Sequence, residues 1–187
     1  MKNALILHGT GNSPEDNWFQ WLKKELETKG YEVWVPLLPQ NDTPNIKRYN
    51  EMIFANKGFT FNEDTILIGH SSGAVEILGL LQNLPSDITV KAVYMVGVFK
   101  DSLGEKDYEG LFEVPFDFER IKARVEHIVY IHSENDPYCP LAHAEYLREQ
   151  TGGDLIIIPE QKHFSISTMG EKYKKFPSLL EEIKLRT

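Results

Sequence analysis

The stretch that decides the fold is ILIGHSSGAVEIL, from Ile66 to Leu78, where an apolar run changes its period around a serine. The segment before the change, TILIG, is almost continuously apolar, as in a strand that is buried on both faces. The segment after it, GAVEILGLL, predicts a buried helix. Between them lies Gly69-x-Ser71-x-Gly73, a pattern typical of a sharp strand-to-helix turn. The stretch therefore predicts a parallel sheet covered by helices, with Ser71 at the tip of a turn.

Strand-like runs alternate with helical patterns on both sides of this stretch. The predicted strands are Ala4–His8, Glu32–Val35, Thr65–Gly69, Lys91–Val96, His127–His132 and Leu155–Ile158. The predicted helices run from Ser13-Pro14 to Gly30, from Thr43-Pro44 to Gly58, and over Ala74–Leu84, Phe118–Arg124, Leu141–Gln150 and Gly170–Leu185, the last interrupted by Pro177. This alternation predicts an α/β fold with right-handed crossovers and helices on both faces of the sheet. We expect one domain over residues 1–187.

The composition and net charge of the chain limit the classes of protein to which it can belong. Hydrophobic residues make up 41% and charged residues 26% of the chain, as in soluble globular proteins. No apolar stretch approaches the roughly 18 residues of a membrane span, and the amino-terminal residues predict a strand rather than a signal peptide. The formal net charge of −8, without clustered cations, argues against nucleic acid or an anionic membrane as a partner. A single cysteine, Cys139, argues against disulfides and multi-thiolate metal sites, and we expect a cytoplasmic protein.

Ser71 is the candidate nucleophile. A serine hydroxyl needs a base, and the base needs a group that orients it. In α/β-hydrolases the nucleophile, the acid and the histidine follow one another along the chain. Asp136 and His163 occur in that order, each after a later predicted strand. Because ligands bind at the carboxyl ends of parallel strands, we predict Ser71 as nucleophile, Asp136 as acid and His163 as base.

Alternatives remain open for each of these assignments. Ser71 could be an ordinary cap residue in a glycine-rich turn, and Asp136 before Pro137 could be a turn residue. Glu134 is the rival acid. Of the histidines, only His163 is predicted to lie on the loop after the final strand. The others, predicted to serve in packing or hydrogen bonding or to lie away from the site, are His8, His70, His127, His132 and His143.

The surroundings of the predicted nucleophile suggest further roles. The oxyanion hole should use the backbone N–H groups of Ser72 and of Thr10 in the loop after the first strand. Three aromatic residues, Trp18, Phe99 and Phe164, are candidates for an apolar acyl pocket, although ordinary packing accounts for each of them equally well.

The loop after the first strand also contains Gly9-x-Gly11, which is part of a dinucleotide-binding pattern. The third glycine position of that pattern is Pro14, and no acidic residue ends the second predicted strand. No phosphate-binding G-x-x-x-x-G-K-[ST] loop occurs. Nucleotide binding is therefore disfavoured, and we predict neither a metal nor another cofactor.

Four stretches, LHGTGNSPEDNWFQWLKKELE, IGHSSGA, SENDP and KHF, resemble the small serine hydrolases of the retinoblastoma-binding protein nine type. The resemblance implies a minimal α/β-hydrolase with a six-stranded parallel sheet in the order 2-1-3-4-5-6 and no cap domain. The family's nucleophile, acid and base correspond to Ser71, Asp136 and His163. Lys162 departs from the family, because many relatives have glycine there. The L-x-C-x-E pattern that binds pocket proteins is absent, so that interaction is not carried over.

The sequence therefore predicts a serine hydrolase that acts on a small-molecule acyl compound, such as a carboxylic ester, through an acyl-enzyme on Ser71. The alternative is a catalytically idle protein-binding module on the same fold, because a fold does not by itself establish an activity. The residues do not rank esters, thioesters and amides as substrates.

Overall fold

A computed structural model describes residues 1–187. Six parallel strands form one sheet in the order β2-β1-β3-β4-β5-β6. All six predicted strands and the implied order are confirmed, and each strand end lies within two residues of its predicted position. The strands are β1 (Asn3–Leu7), β2 (Glu32–Trp34), β3 (Thr65–His70), β4 (Val90–Val96), β5 (Val125–His132) and β6 (Asp154–Ile157).

Helices cover both faces of the sheet and bury an apolar core on each side. Helices α2 to α5 contribute to one core, and α1 and α7 contribute to the other. None of the helices is both long enough and apolar enough to cross a membrane. The helices are α1 (Phe19–Glu27), α2 (Ile46–Ala55), α3 (Ser72–Asn83), α4 (Phe118–Lys122), α5 (Leu141–Thr151), α6 (Ile166–Met169) and α7 (Pro177–Arg186).

The predicted start of the first helix at Ser13 is wrong. The Ser13 N–H and hydroxyl both donate to the Asp16 carboxylate, at 2.7 and 2.9 Å, so these residues form a closed turn. Asn17 then adopts a left-handed φ of 50°, which an α-helix cannot continue through. Helix α1 therefore begins only at Phe19, after this turn.

Two other helix predictions need smaller corrections. Helix α2 begins at Ile46 rather than at Thr43-Pro44, because the Asn45 side chain caps its first turn. The predicted carboxyl-terminal helix, Gly170–Leu185, is divided into a 3₁₀ helix over Gly170–Lys174 and α7, and α6 lies before it. Pro177 opens α7 at a position where its missing N–H needs no partner.

Helix α3 contains an acidic residue that is completely buried. The Glu76 side chain is completely inaccessible, and neither carboxylate oxygen has a hydrogen-bond partner. The hydroxyl of Tyr49 and the side-chain oxygen of Asn50, both on α2, are also buried without partners. Burial raises the pKa of Glu76 well above its ordinary value, which favours the protonated carboxyl group in the folded protein.

Candidate active site

Ser71 occupies the turn between β3 and α3 in a strained conformation. Its φ of 56° and ψ of −123° are unusual for a residue with a side chain, and its N–H donates to the Val96 carbonyl at 2.8 Å. Such a conformation costs about 1–3 kcal/mol and is found at functional sites when the surrounding structure enforces it. The turn presents Ser71 at the carboxyl edge of the sheet, as the sequence predicts.

The two glycines of the pattern are required by close approach of the backbone. A Cβ atom on Gly69 would lie 2.5 Å from the carbonyl oxygen of Gly73. A Cβ atom on Gly73 would lie 2.5 Å from the carbonyl oxygens of Leu7 and His8, at the end of β1. The turn therefore packs against the end of the first strand, which brings the loop after β1 beside Ser71.

His163 and Asp136 form a hydrogen-bonded pair at the ends of β6 and β5. The distance from His163 Nδ1 to Asp136 Oδ2 is 2.7 Å, and the Asp136 side chain is fully shielded from solvent. The other carboxylate oxygen accepts the N–H groups of Tyr138 and Cys139, at 2.9 and 3.0 Å. Burial opposes ionisation, but the hydrogen bond and charge of His163 and the two N–H groups hold the pKa of Asp136 below its ordinary value. An ionised Asp136 accepts a hydrogen bond from Nδ1–H, which leaves Nε2 of His163 free for chemistry.

Ser71 and His163 line the same cavity, which has a volume of about 250 Å³. Gly97, after β4, leaves space for the imidazole, since a Cβ atom there would lie 3.0 Å from His163 Cε1. No hydrogen bond joins the Ser71 hydroxyl to the imidazole in this structure. Such bonds are often long in unliganded enzymes and tighten when substrate binds. The structure thus brings together all three residues predicted for catalysis.

The rival residues lie apart from this arrangement. Glu134 is exposed and makes no hydrogen bond to His163, so Asp136 is the acid that meets the imidazole. His8 and His132 are buried at strand ends, where they hydrogen-bond to backbone atoms and burial lowers the pKa of both. His127 and His143 contact acidic residues outside the cavity, Glu126 and Asp101 respectively.

The two predicted oxyanion donors lie side by side. Thr10 lines the cavity, and its hydroxyl donates to Ser72 Oγ at 2.8 Å. Neither the N–H of Thr10 nor that of Ser72 is used in the turn, loop and cap hydrogen bonds around the site. Ser72 is the first residue of α3, where the helix leaves N–H groups unpaired and its dipole favours negative charge. Both N–H groups are therefore available to a developing oxyanion.

The predicted acyl pocket needs a correction. Phe99 lines the cavity, but Trp18 and Phe164 do not. Both are completely buried in the core formed with α1 and α7, and the Trp18 indole N–H donates to the Phe164 carbonyl at 3.1 Å. The alternative of ordinary packing is therefore the one that holds for Trp18 and Phe164.

Sequence reasoning missed Tyr108 and Tyr138, which line the cavity beside Phe99. Tyr138 is more than half exposed, and its ring meets the His163 ring edge-on at 5.1 Å. Tyr108 lies in a 3₁₀ helix, Lys106–Leu111, the only helical element between β4 and α4. Both tyrosines come from irregular segments without a periodic pattern. Only their position after a predicted strand hinted at a role.

Three side chains in this region have the chemistry of metal ligands. Ligand atoms of Asp136, Cys139 and His163 lie within 4.8 Å of one another. Both Asp136 oxygens already accept hydrogen bonds, however, and burial raises the pKa of the Cys139 thiol well above its ordinary value. These donors fit an orienting acid and its histidine better than a metal centre.

Comparison with known proteins supports the same fold. A family model described as "Serine hydrolase" matches residues 4–183. The rat (Rattus norvegicus) protein "Serine hydrolase RBBP9" is 26% identical over 182 residues, which cover 95% of each chain. The Bacillus subtilis (strain 168) protein "Putative hydrolase YdeN" is 27% identical over 164 residues, covering 87% of this chain and 86% of that one.

Solved structures share the same fold. The crystal structure of the ydeN gene product from B. subtilis superposes with a TM-score of 0.90 at 24% identity, covering 100% of this chain and 98% of that chain. Est1E from Butyrivibrio proteoclasticus, solved with ferulic acid, has a TM-score of 0.69 at 14% identity, with 98% and 90% covered. At such identities the likeness establishes the fold alone. The minimal α/β-hydrolase fold predicted from the sequence is confirmed.

Proposed function

This chain belongs to the serine hydrolase family, and we propose that it cleaves a carboxylic ester or a related acyl compound through an acyl-enzyme on Ser71. The observation that carries the proposal is the hydrogen-bonded pair of His163 and Asp136 at the wall of the cavity that also contains the strained Ser71. A nucleophile, a base and an orienting acid at three strand ends are the parts that acyl transfer by serine requires.

In the first half-reaction, Ser71 Oγ attacks the carbonyl carbon while His163 Nε2 accepts the hydroxyl proton. Asp136 keeps the imidazole in the required tautomer and stabilises the imidazolium that forms. The negative charge that develops on the carbonyl oxygen is held by the N–H groups of Thr10 and Ser72. Each such donor typically contributes about 3 kcal/mol of transition-state stabilisation. The imidazolium then gives its proton to the leaving alcohol.

In the second half-reaction, water replaces the alcohol. His163 removes a proton from the water as it attacks the acyl-enzyme, and the same two N–H groups hold the second oxyanion. Collapse of that intermediate returns the proton to Ser71 Oγ and releases the carboxylic acid. The cycle needs the imidazole to be neutral at its start.

The shape and charge of the site favour a small substrate without an anionic group near the cavity mouth. The cavity of about 250 Å³ lies below the usual range of about 300–1,000 Å³ for ligand pockets. It shares Thr10 and Tyr138 with a second cleft of about 390 Å³, which is also lined by three carboxylates. Those carboxylates should repel an anion. They belong to Asp42, Glu105 and Asp107.

The similar proteins support an ester as the scissile group. Est1E was solved with ferulic acid, and two further structures of the same fold are described as polyneuridine aldehyde esterase and esterase PE8. Because these chains are at most 18% identical to this one, they support the reaction type and not a particular substrate.

A panel of p-nitrophenyl esters tests the proposed function. We expect hydrolysis of the acetate and butyrate, and a kcat/KM for the octanoate at least about tenfold lower, because the cavity is small. Ser71→Ala should show no turnover above the buffer rate. Matched aryl thioesters and anilides would then rank the scissile bond. Wild-type protein no more active than Ser71→Ala on every compound would contradict the proposal and favour the idle binding module.

A further inference from the structure

His163 lies on a loop with unusual backbone strain. Residues 160–166, which we call the base loop, follow β6 and contain three non-glycine residues with left-handed φ values: 56° at Glu160, 49° at Lys162 and 52° at Phe164. Two of these residues flank His163 directly. A side chain in this region is costly and persists only where surrounding contacts enforce it. Lys162 carries a side chain at such a φ and therefore adds strain that other contacts must offset.

Two buried side-chain donors bind consecutive carbonyls of the base loop. His70 Nε2 lies 2.8 Å from the carbonyl oxygen of His163, and Trp18 Nε1 lies 3.1 Å from that of Phe164. The indole and the His70 ring also meet edge-on, with centroids 6.0 Å apart. His70 directly precedes Ser71 in the chain, so its hydrogen bond connects the nucleophile's turn to the backbone of the base.

The loop's N–H groups are held as well, by acceptors from the segments after β5 and before α1. These acceptors bind backbone N–H groups on both sides of His163, but none of them binds the backbone N–H or carbonyl group of His163 itself. Their bonds run from Gln161 N–H to Ser133 Oγ (2.9 Å), from Lys162 N–H to Asn135 Oδ1 (2.8 Å) and from Ile166 N–H to Asn17 Oδ1 (2.8 Å).

The hydrogen bond requires a proton on Nε2 of His70, because a carbonyl oxygen only accepts. Nδ1 is buried and has no partner. Burial, followed by the neighbouring charge of His163, lowers the pKa of His70 to about 3. His70 therefore stays neutral near neutral pH. This matters because its ring lies 4.8 Å from that of His163, where a second positive charge would oppose an imidazolium.

We infer that His70 and Trp18 are positioning residues, which clamp the carbonyls of residues 163 and 164 and hold the His163 imidazole at a fixed distance from Ser71. The inference rests on the proposed role of His163 as the base. Neither side chain reacts with the substrate in this account. Their contribution is geometric, since a misplacement of about 1 Å in a reacting group can cost roughly 10²-fold in rate.

The experiment compares His70→Leu, which removes the donor at similar size, with His70→Gln, whose side-chain amide can donate to the same carbonyl. We expect His70→Leu to lower kcat for a p-nitrophenyl ester by roughly 10²-fold, with KM changed by less than about twofold. His70→Gln should recover most of that loss. Trp18→Phe, which keeps a ring but removes the N–H group, should lower kcat by about tenfold.

Tyr130→Phe is the matched control. It deletes a buried hydroxyl that is 2.9 Å from Thr151 Oγ1, in the opposite core and away from the base loop. We expect it to lower the Tm but to leave kcat unchanged. If kcat instead falls in Tyr130→Phe as much as in the clamp variants, the effect is general destabilisation and the inference is overturned.

Wild-type kcat in folded His70→Leu and Trp18→Phe would also overturn the inference. If His70→Leu does not fold, the test rests on His70→Gln and Trp18→Phe. A near-normal kcat in His70→Gln together with a lower kcat in Trp18→Phe supports the clamp. A normal kcat in both variants contradicts it. The experiments distinguish failure of this inference from failure of the proposed function. If only the inference fails, His163→Ala is inactive while the His70 and Trp18 variants are fully active. If the proposed function fails, the wild-type protein hydrolyses no ester.

Discussion

Replacing His163 with alanine is expected to lower kcat for ester hydrolysis by about 10⁴-fold. The imidazole is the only base that lines the cavity with Ser71 and is also held by an acid, through the 2.7 Å bond to Asp136. Without it, no group can take the hydroxyl proton as the carbonyl is attacked or return it to the leaving alcohol. The residual rate should reflect the oxyanion donors and substrate binding alone. Steady-state kinetics on p-nitrophenyl butyrate measures the loss.

A matched substitution controls for the removal of a histidine as such. His127 is half-exposed, lies near the start of β5 and contacts Glu126, outside the cavity. His127→Ala should keep wild-type kcat. If His163→Ala retained more than about a tenth of the wild-type kcat, the histidine would not be the base, and the assignment of the acid would fail with it.

Glu76→Gln is expected to stabilise the protein increasingly as the pH rises. The folded state keeps the buried Glu76 carboxyl protonated, whereas the unfolded chain ionises it above its ordinary pKa of 4.5. Between that value and the raised folded pKa, the folded state binds more protons, so wild-type stability falls with rising pH. The slope from one such group is about 1.4 kcal/mol per pH unit. Glutamine cannot ionise and removes this slope.

The measurement is urea unfolding of both proteins at several pH values from 5 to 8.5. Three buried histidines, His8, His70 and His132, have pKa values lowered by burial and contribute stability that is lost as the pH falls below about 6.5. They are present in both proteins and cancel in the difference. The exposed Glu149 on α5 provides the control, since Glu149→Gln should give a flat difference. A flat difference for Glu76→Gln as well would mean that the carboxyl group is ionised or hydrated in the fold.

The sheet and the three catalytic candidates could be predicted from the sequence because each is marked by a short local pattern of residues. Continuous apolar runs mark strands buried on both faces, and the chemistry of a parallel sheet collects at one edge. Ser71, Asp136 and His163 each follow such a run, so knowing the strands was enough to expect them together. Glu134 was separated from Asp136 only by the structure, because both follow the same strand.

The parts that sequence reasoning missed depend on irregular backbone. The side chain of Asp16 closes a turn with Ser13, which delays α1, and Trp18 lies in the core rather than at the cavity. The strained base loop contains no glycine, so its sequence does not predict its left-handed residues. Tyr138 reaches the cavity from a loop whose position is set by hydrogen bonds to Asp136. None of these features repeats along the chain, so none leaves a periodic pattern.

The most direct measurement of the central claim is covalent labelling with a fluorophosphonate, followed by peptide mass spectrometry. If Ser71 is a nucleophile activated by His163 and Asp136, wild-type protein should incorporate one phosphonyl group, on the peptide that contains Ser71. Ser71→Ala should stay unlabelled, and His163→Ala should label far more slowly. A phosphonyl group on another residue, or equal labelling of wild type and Ser71→Ala, would contradict the account.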